Sequence, residues 1–481
     1  MKKFLLICFL LINSIKIILP LTEPDPQPPK PEPDPGPHPG PDPKPGPGPG
    51  PDPTNDYNYT FYKAVRINGV INGESISSEE GNESAVYVNE TATITGAIII
   101  KESGETSNIE ECEFYGINAA ILVQNGTLTM TGGEILTKVG GSNALVATNH
   151  ANVTISGTTI KSTATRSARG LHSTYKGKIE ATNVNINTQG GSCATLATDR
   201  GEGVVICESC TLSTNGSGSP LIYSTGNITV SKTTGTSGKA QAVVIEGKNK
   251  AIVEQQSLLN CSAGPNRGDI DQCGVMIYQS MSGDASSGTG TFICDDSEIE
   301  IYKSSNYYKT APMFFVTNTN AEILLKKCNF TYGSNIFLSA KGTGEWGKEG
   351  SNGGDVTLNL TNQNIEGDFI IDNVSSLTIN IVNSNIKGTI NGDTTAKSLI
   401  INIDKDSTIE LTGNSSYTQL INEKSDGTNL INGSYSWNSY TPKPGPEPPV
   451  TDSDPPQTDS SYNEVIVNNM FLILLLNIIL F

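Results

Sequence analysis

Short apolar runs recur along the chain at a nearly constant spacing. Successive runs begin at residues 120, 144, 170, 194 and 220, so their starts differ by 24 or 26 residues. Each unit contains a strand-like segment, a turn of small residues, Asn or Gly, a second segment, another turn and a weaker third segment. Apolar and polar residues alternate within the segments, as in strands with one buried face. The pattern therefore predicts three short strands per repeat.

A repeat of this kind is typical of a β-solenoid. One coil cannot bury its inward Val, Ile, Leu and Ala side chains, but stacked coils bury them in a continuous column. Strands of neighbouring coils would pair in parallel, about 4.8 Å apart, and Asn and Gly at the corners would tolerate left-handed backbone angles. An antiparallel sandwich would need hairpins instead. We expect an all-β, right-handed parallel β-helix of roughly a dozen coils.

Changes in composition mark the limits of the predicted β-helix, which we place at residues 57–440. Residues 1–20 have a basic start and an apolar stretch too short to span a bilayer, which predicts a cleaved secretory signal. An uncleaved anchor is the alternative. Residues 21–56 and, more briefly, 441–463 are rich in Pro, and such segments hold an extended polyproline conformation. We therefore expect Pro-rich stalks on both sides of the β-helix.

Residues 464–481 end in an almost wholly apolar tail without a basic flank. Small residues at Ser460 and Ser461 and a polar spacer precede this tail, which is the pattern of a lipid-anchor signal. A short transmembrane helix from Val465 is the alternative. Either interpretation places the β-helix at the extracellular face of the plasma membrane, where the C-terminal anchor would contact the membrane.

The acidic composition restricts the partners. The formal net charge is −18, and the arginines do not cluster. Nucleic-acid binding requires a basic surface that meets the phosphates, so we expect no nucleic-acid partner.

The cysteines favour disulfides, since eight of the nine lie outside the predicted signal of an exported chain. Cys261 and Cys273 flank one loop and are the single pair that we assign. Cys207 and Cys210 have redox or metal spacing, but they lack a second pair or a nearby His, which disfavours a metal site.

Sequons for N-glycosylation are abundant, although a chain rich in Asn and Thr also produces them by chance. The candidate acceptors are Asn58, Asn82, Asn89, Asn125, Asn152, Asn215, Asn227, Asn260, Asn329, Asn359, Asn373, Asn414 and Asn432.

Several segments resemble a family of exported right-handed β-helix proteins of gut-dwelling microbes. They are YSTGNITV from Tyr223, AVVIEGKN from Ala242, GVMIYQSMSGD from Gly274, FVTNT from Phe315 and SNGGDV from Ser351. The resemblance extends over roughly residues 121–416 and implies a pectin-lyase-like fold with adhesin-like or carbohydrate-binding function. Residues 262–272 are an insertion relative to the family.

Many β-helices are polysaccharide lyases or hydrolases, which need paired Asp residues with a Gly-His-Gly motif or calcium-binding Asp clusters. Asp295 and Asp296 form the only adjacent Asp pair. Neither His150 nor His172 lies in a Gly-His-Gly motif, and both are expected to be ordinary surface residues. We find no nonapeptide calcium-binding repeat and no Asp-x-Asp pair placed on one predicted strand. We expect a non-catalytic protein without cofactor or metal, and a polysaccharide lyase or hydrolase is the alternative.

Two inserts at the same phase of the repeat are candidate ligand loops, residues 280–290 and 341–354. They would supply Trp346, Asp284, Glu345 and Glu349, with Asp355 directly after the second insert. A Trp beside carboxylates can stack on a sugar ring and hydrogen-bond it, and loops on a rigid scaffold often carry function. The alternative is that Trp346 folds back to cover the edge of a coil.

Arg267, Gly268 and Asp269 form an Arg-Gly-Asp sequence between Cys261 and Cys273. Such a charge pair in a constrained loop is a candidate receptor motif, and a purely structural insert is the competing interpretation. Together the patterns predict a cell-surface, adhesin-like protein that binds glycans or proteins of a host or neighbouring cell. A structural coat protein is a further alternative.

Overall fold

The computed structural model describes residues 57, 59–60, 62–106, 108–266, 268–422 and 431–442. The predicted signal, the first Pro-rich segment, residues 443–463, the C-terminal anchor, Asn58 and Arg267 lie outside these residues. No helix in the described ranges has the length and apolar character needed to cross a membrane.

The described chain is built almost entirely from short strands. In chain order they are β1 (Lys63–Asn72), β2 (Ser75–Ser78), β3 (Glu83–Thr95), β4 (Ile98–Lys101), β5 (Ile121–Gln124), β6 (Thr127–Thr131), β7 (Glu134–Thr137), β8 (Leu145–Thr148), β9 (Asn152–Ser156), β10 (Thr159–Ser162), β11 (Leu171–Thr174), β12 (Lys178–Thr182), β13 (Asn185–Thr188), β14 (Leu196–Asp199), β15 (Val204–Glu208), β16 (Thr211–Thr214), β17 (Ile222–Ser224), β18 (Asn227–Ser231), β19 (Thr234–Ser237) and β20 (Val243–Glu246). They continue as β21 (Lys250–Glu254), β22 (Leu258–Cys261), β23 (Val275–Tyr278), β24 (Thr289–Asp295), β25 (Glu298–Ile301), β26 (Phe314–Thr317), β27 (Thr319–Lys326), β28 (Asn329–Thr331), β29 (Ile336–Ala340), β30 (Gly354–Thr361), β31 (Asn364–Glu366), β32 (Asp368–Ile371), β33 (Ser376–Val382), β34 (Asn385–Gly388), β35 (Ser398–Ile403), β36 (Thr408–Leu411), β37 (Ser415–Tyr417), β38 (Gln419–Asn422), β39 (Ile431–Asn432) and β40 (Trp437–Ser439). A short helix, α1 (Ile109–Tyr115), interrupts this series.

The strands form three parallel ladders that run along the molecule. The first ladder contains β3, β5, β8, β11, β14, β17, β20, β23, β26, β29 and β32. The second contains β1, β3, β6, β9, β12, β15, β18, β21, β24, β27, β30, β33, β35 and β38. The third runs from β2 through β4, β7, β10, β13, β16, β19, β22 and β25 to β28, and a separate sheet of β31, β34, β36 and β39 follows it. Strands β37 and β40 pair with each other. The predicted right-handed parallel β-helix is confirmed.

The core is a column of apolar side chains inside the coils. In the second ladder, Leu128, Val153, Ile179, Val205 and Ile228 are successive register partners. All five are buried, whereas the residues beside them in each strand alternate between buried and more exposed positions. Burying one such side chain contributes roughly 1.5–3 kcal/mol, so the stack is stabilised by many similar contributions.

The bend between the second and third ladders uses left-handed backbone angles in one coil after another. Gly157, Asn183, Ser209 and Lys232 occupy equivalent corners with φ of 62°, 55°, 57° and 49°. Gly and Asn adopt this conformation most readily, because other side chains meet the following carbonyl there. The prediction that Asn and Gly mark the corners is correct for the first two of these positions.

Other segments of the chain cover part of the outward face of the first ladder. Helix α1 was not predicted. Asn108 caps its N-terminus, and the Asn108 side chain accepts the N–H groups of Glu110 and Glu111. The helix packs on this face through Phe114, whose carbonyl accepts the Thr174 hydroxyl at 2.8 Å. Tyr57 from the N-terminal segment adds an edge-to-face ring contact with Tyr175. Strands β8, β11 and β14 of the first ladder are therefore buried on both sides.

The described disulfides join Cys207 to Cys210 and Cys294 to Cys328. The predicted bridge between Cys261 and Cys273 is wrong, because both thiols are free and buried. Cys261 packs in the interior column, whereas Cys273 packs in a separate cluster with Ile270, Met276 and Phe315. The two cysteines thus belong to different layers of the fold.

Candidate functional site

The outward face of the first ladder carries polar groups that are unusual for a buried surface. Tyr223, Val244 and Met276 are neighbours in one row across β17, β20 and β23. Glu246 and Tyr278 are partners in the adjacent outward row. We call this surface, with the loops that surround it, the lateral face.

Glu246 lies at the centre of the lateral face. Its side chain is buried, and its carboxylate accepts the hydroxyl groups of Tyr223 and Tyr278, each at 2.7 Å. The Ser280 hydroxyl donates to the other carboxylate oxygen. Burial raises the pKa of the Glu246 carboxyl, and the three hydroxyl donors oppose this effect without cancelling it. The arrangement fixes two tyrosines around one acidic group.

A buried ion network lies farther along the same ladder. The Arg169 guanidinium is 3.4 Å from the Glu113 carboxylate of α1 and 3.3 Å from the Asp199 carboxylate. Burial raises the pKa of Asp199 well above its usual range, and Arg169 opposes that shift. Burial lowers the pKa of Arg169, but the two carboxylates outweigh it and raise the pKa. The network ties α1 to the ladder.

His172 belongs to this network, so its expected surface position is wrong. The residue points outward from β11, but α1 covers it completely, whereas His150 is exposed as expected. His172 Nε2 lies 2.7 Å from the Glu113 carbonyl oxygen and 3.4 Å from the Arg169 guanidinium. Burial, with Arg169 second, lowers the pKa of His172 to about 3. The imidazole is therefore neutral in the folded protein at neutral pH.

Trp346 reaches the lateral face from the loop of residues 341–354. Its ring lies 4.5 Å from the ring of Tyr278, with the planes tilted by 39°. Both side chains are half-buried. The Asn352 amide donates to the carbonyl oxygens of Thr343 and Trp346 at 2.6 and 2.7 Å, which fixes the loop. Trp346 thus packs on the coil edge while part of its surface stays exposed.

Asp284 reaches the same face from the loop of residues 280–290. Its carboxylate is 3.3 Å from the Arg200 guanidinium, which lies 3.6 Å from the centre of the Phe114 ring. Both charged side chains are partly exposed. This ion pair forms a rim beside the Glu246 group.

The other predicted ligand residues are more dispersed. Glu345 lies against Gly268, close enough that a side chain at that position would clash with it. Glu349 is exposed on the loop, and Asp355 is exposed on β30, where it pairs with Asn320 and Ser376 of the second ladder. The lateral face therefore brings together Trp346 and Asp284, with Glu345 at its edge.

The described part of the Arg-Gly-Asp sequence packs against the Trp346 loop. Gly268 has a left-handed backbone with φ of 58°, and the Asp269 carboxylate accepts the Gly344 N–H at 2.8 Å. Lys341 and Asp271 form a further link between these segments at 2.8 Å. These contacts favour the structural interpretation of this insert, since Asp269 is engaged within the chain.

The predicted glycosylation acceptors differ in exposure. Those at exposed positions are Asn89, Asn125, Asn152, Asn215, Asn227, Asn329, Asn373, Asn414 and Asn432. Asn82, Asn260 and Asn359 are half-buried. Asn359 donates to Glu322 and accepts from Asn380 at 2.8 Å, so its amide is committed to a polar ladder between coils.

Sequence reasoning did not identify Glu246, Asp199 or Arg169. Asp199 and Glu246 end the short strands β14 and β20, and Arg169 lies just before β11. A charged residue at such an outward position is normally solvated, and only the covering segments bury these three. Among the described residues, no three His, Cys, Asp or Glu side chains are arranged to hold a metal ion.

Comparison with protein-family models, with curated proteins and with solved structures finds no match for this chain.

Proposed function

We propose that this protein is an adhesin-like, cell-surface protein that binds glycans through the lateral face. The observation that carries the proposal is the half-exposed pair of Tyr278 and Trp346, whose rings are 4.5 Å apart beside the acidic Glu246. Aromatic rings present apolar faces that can stack on sugar rings, and polar groups beside them supply orientation.

The geometry around this pair suits recognition. The Trp346 loop is fixed by Asn352, and Tyr278 lies on a strand of a continuous ladder. Because these groups are held before a ligand arrives, little conformational entropy would be lost on binding. The Asp284–Arg200 pair offers both an acceptor and donors at the rim.

The predicted signal and C-terminal anchor complete the proposal. They would carry the β-helix to the extracellular face of the plasma membrane, where the Pro-rich stalks would hold it away from the lipid. The resemblance to pectin-lyase-like, adhesin-like proteins of gut microbes points to the same function. Partners would be glycans or surface proteins of a host or neighbouring cell.

A glycan array probed with the full chain, with and without calcium, tests this proposal. The wild type should bind at least one class of sugar, and Trp346→Ala should lose that class. Trp437→Ala is the matched control, because it removes the other tryptophan, which packs on Tyr417. Trp346→Phe should retain part of the binding, because the phenylalanine ring can still stack on a sugar.

Two results would contradict the proposal. Unchanged binding by Trp346→Ala would show that the lateral face is not the glycan-binding site. A blank array for the wild type would favour a structural coat protein or a protein receptor instead.

A polysaccharide-acting enzyme is the second candidate, favoured by one observation. Asp199 and Glu246 occupy one outward row by register, two coils apart, which corresponds to about 10 Å between backbones. Inverting glycosidases hold two carboxyl groups about 6.5–9.5 Å apart, one with a raised pKa. Release of reducing or unsaturated sugars that Glu246→Gln abolishes would support an enzyme. Binding without release supports the adhesin.

A further inference from the structure

The third ladder is interrupted between β28 and β31. Strand β28 pairs with β25 on one side and β31 pairs with β34 on the other, but within residues 268–422 no backbone pairing joins β28 to β31. A cavity of about 600 Å³ opens at this point. This volume is within the range of small-ligand sites, roughly 300–1,000 Å³. We call it the β28–β31 cleft.

Two side chains bridge the cleft where backbone hydrogen bonds are missing. Gln363, itself buried, accepts the Cys328 N–H at 2.8 Å and donates to the Cys328 carbonyl oxygen at 2.6 Å. At the other end the Tyr332 hydroxyl donates to the Glu366 carbonyl oxygen. Side chains therefore bridge β28 and β31 at both ends of the cleft, and the separation of these strands is a defined part of the fold.

Aromatic rings line the β28–β31 cleft. The Phe330 ring lies 5.5 Å from that of Phe314 and 5.6 Å from that of Phe337. Phe314 and Phe337 are buried, whereas Phe330 is half-exposed and lines the cavity. Earlier coils fill the equivalent interior positions with smaller aliphatic residues such as Ile186 and Leu212. Phe330 thus places a larger ring at this position of the third ladder and leaves part of its aromatic surface open to solvent.

The rim of the cleft is polar and mainly acidic. Glu298, Glu366 and Glu410 line it together with a single lysine, Lys387, which is 3.5 Å from Glu410. Asn329 and other amides add donors and acceptors. An excess of carboxylates repels anionic ligands and favours neutral or cationic ones.

We infer that the β28–β31 cleft is a second carbohydrate site, which takes a neutral or amino-sugar unit against Phe330 and excludes acidic sugars. The aromatic floor suits the apolar face of a sugar ring, and the rim amides and carboxylates suit its hydroxyl or ammonium groups. This inference goes beyond the proposed function, because the cleft lies between β28 of the third ladder and β31 of the separate sheet and uses no residue of the lateral face.

The test uses the full chain with Trp346→Ala as the background, so that glycan binding through the lateral face is removed. The protein is produced without N-glycosylation, because a glycan on Asn329 at the rim would cover the cleft. The probes are immobilised oligomers of neutral hexose, N-acetylhexosamine, glucosamine and galacturonic acid. Two further substitutions are added singly: Phe330→Leu removes the aromatic surface, and Thr331→Arg places a long side chain at the cleft beside Glu300, the register partner of Thr331.

The background protein should bind at least one neutral or amino-sugar probe and no galacturonate. Each added substitution should weaken that binding by at least about tenfold, or about 1.4 kcal/mol, with unfolding temperatures close to that of the background. The inference is overturned if the background binds none of the probes, if it binds galacturonate, or if either added variant keeps its affinity. These outcomes are separate from the comparison of wild type with Trp346→Ala, which tests the lateral face.

Discussion

Replacing His172 with glutamine should make the protein less sensitive to mild acid. In the folded protein, burial and the neighbouring Arg169 lower the pKa of His172 to about 3, whereas an unfolded chain has a histidine pKa of about 6.5. Below pH 6.5 the unfolded state therefore binds a proton that the folded state does not. The stability associated with neutral His172 is complete above that pH and is lost as the pH falls.

The magnitude follows from the difference between the two states. From pH 6.5 to pH 5 the loss is about 1.5 pH units at about 1.36 kcal/mol per unit, or about 2 kcal/mol. The raised pKa values of Glu246 and Asp199 act in the opposite direction, because those groups favour the folded state at low pH. They are present in both proteins, so the difference between wild type and His172→Gln isolates the histidine.

Urea unfolding at pH 7.5 and pH 5, followed by circular dichroism, measures this difference. The wild type should lose about 2 kcal/mol more free energy of unfolding than His172→Gln over that interval. His150→Gln is the matched control, because His150 is exposed and its replacement should leave the wild-type pH dependence intact. Parallel pH dependences for wild type and His172→Gln would refute the burial of a neutral imidazole beneath α1.

Three further predictions concern the β-helix itself. Replacing Cys294 and Cys328 together by alanine should lower the free energy of unfolding by about 3–4 kcal/mol, since their disulfide closes a loop with a sequence separation of 34; chemical denaturation checks this. Phe314→Ala should cost about 3–5 kcal/mol by the same assay, because the buried ring packs against other phenylalanines, and Phe314→Leu should cost less. In a glycosylating host, peptide mass spectrometry should find glycan on exposed Asn227 and none on Asn359, whose amide is hydrogen-bonded to neighbouring coils.

The periodicity of the sequence was sufficient to predict the interior of the molecule. Inward residues such as Val153 and Ile179 repeat at a spacing close to one coil, and the coils stack as expected. Local sequence carries this information, because alternation within a strand and recurrence between strands both follow from the same buried column.

The outer layer could not be predicted in this way. His172 and Glu246 occupy outward positions, where alternation implies contact with water, and they are buried by segments that lie far away in sequence or in loops. The interruption of the third ladder is equally hidden, since it depends on the Gln363 side chain replacing backbone hydrogen bonds. Sequence pattern did select Trp346 and Asp284, because inserts at one phase of the repeat must emerge on one side of the solenoid.

A fluorescence titration tests the glycan-binding account most directly. Trp437→Phe leaves Trp346 as the sole tryptophan of the chain, so its emission reports on the lateral face. Addition of the oligosaccharide selected by the array should shift or quench this emission in a saturable manner, with an affinity equal to that measured by calorimetry. Calorimetric binding of the same oligosaccharide with no change in Trp346 emission would show that the sugar binds elsewhere and would contradict the account.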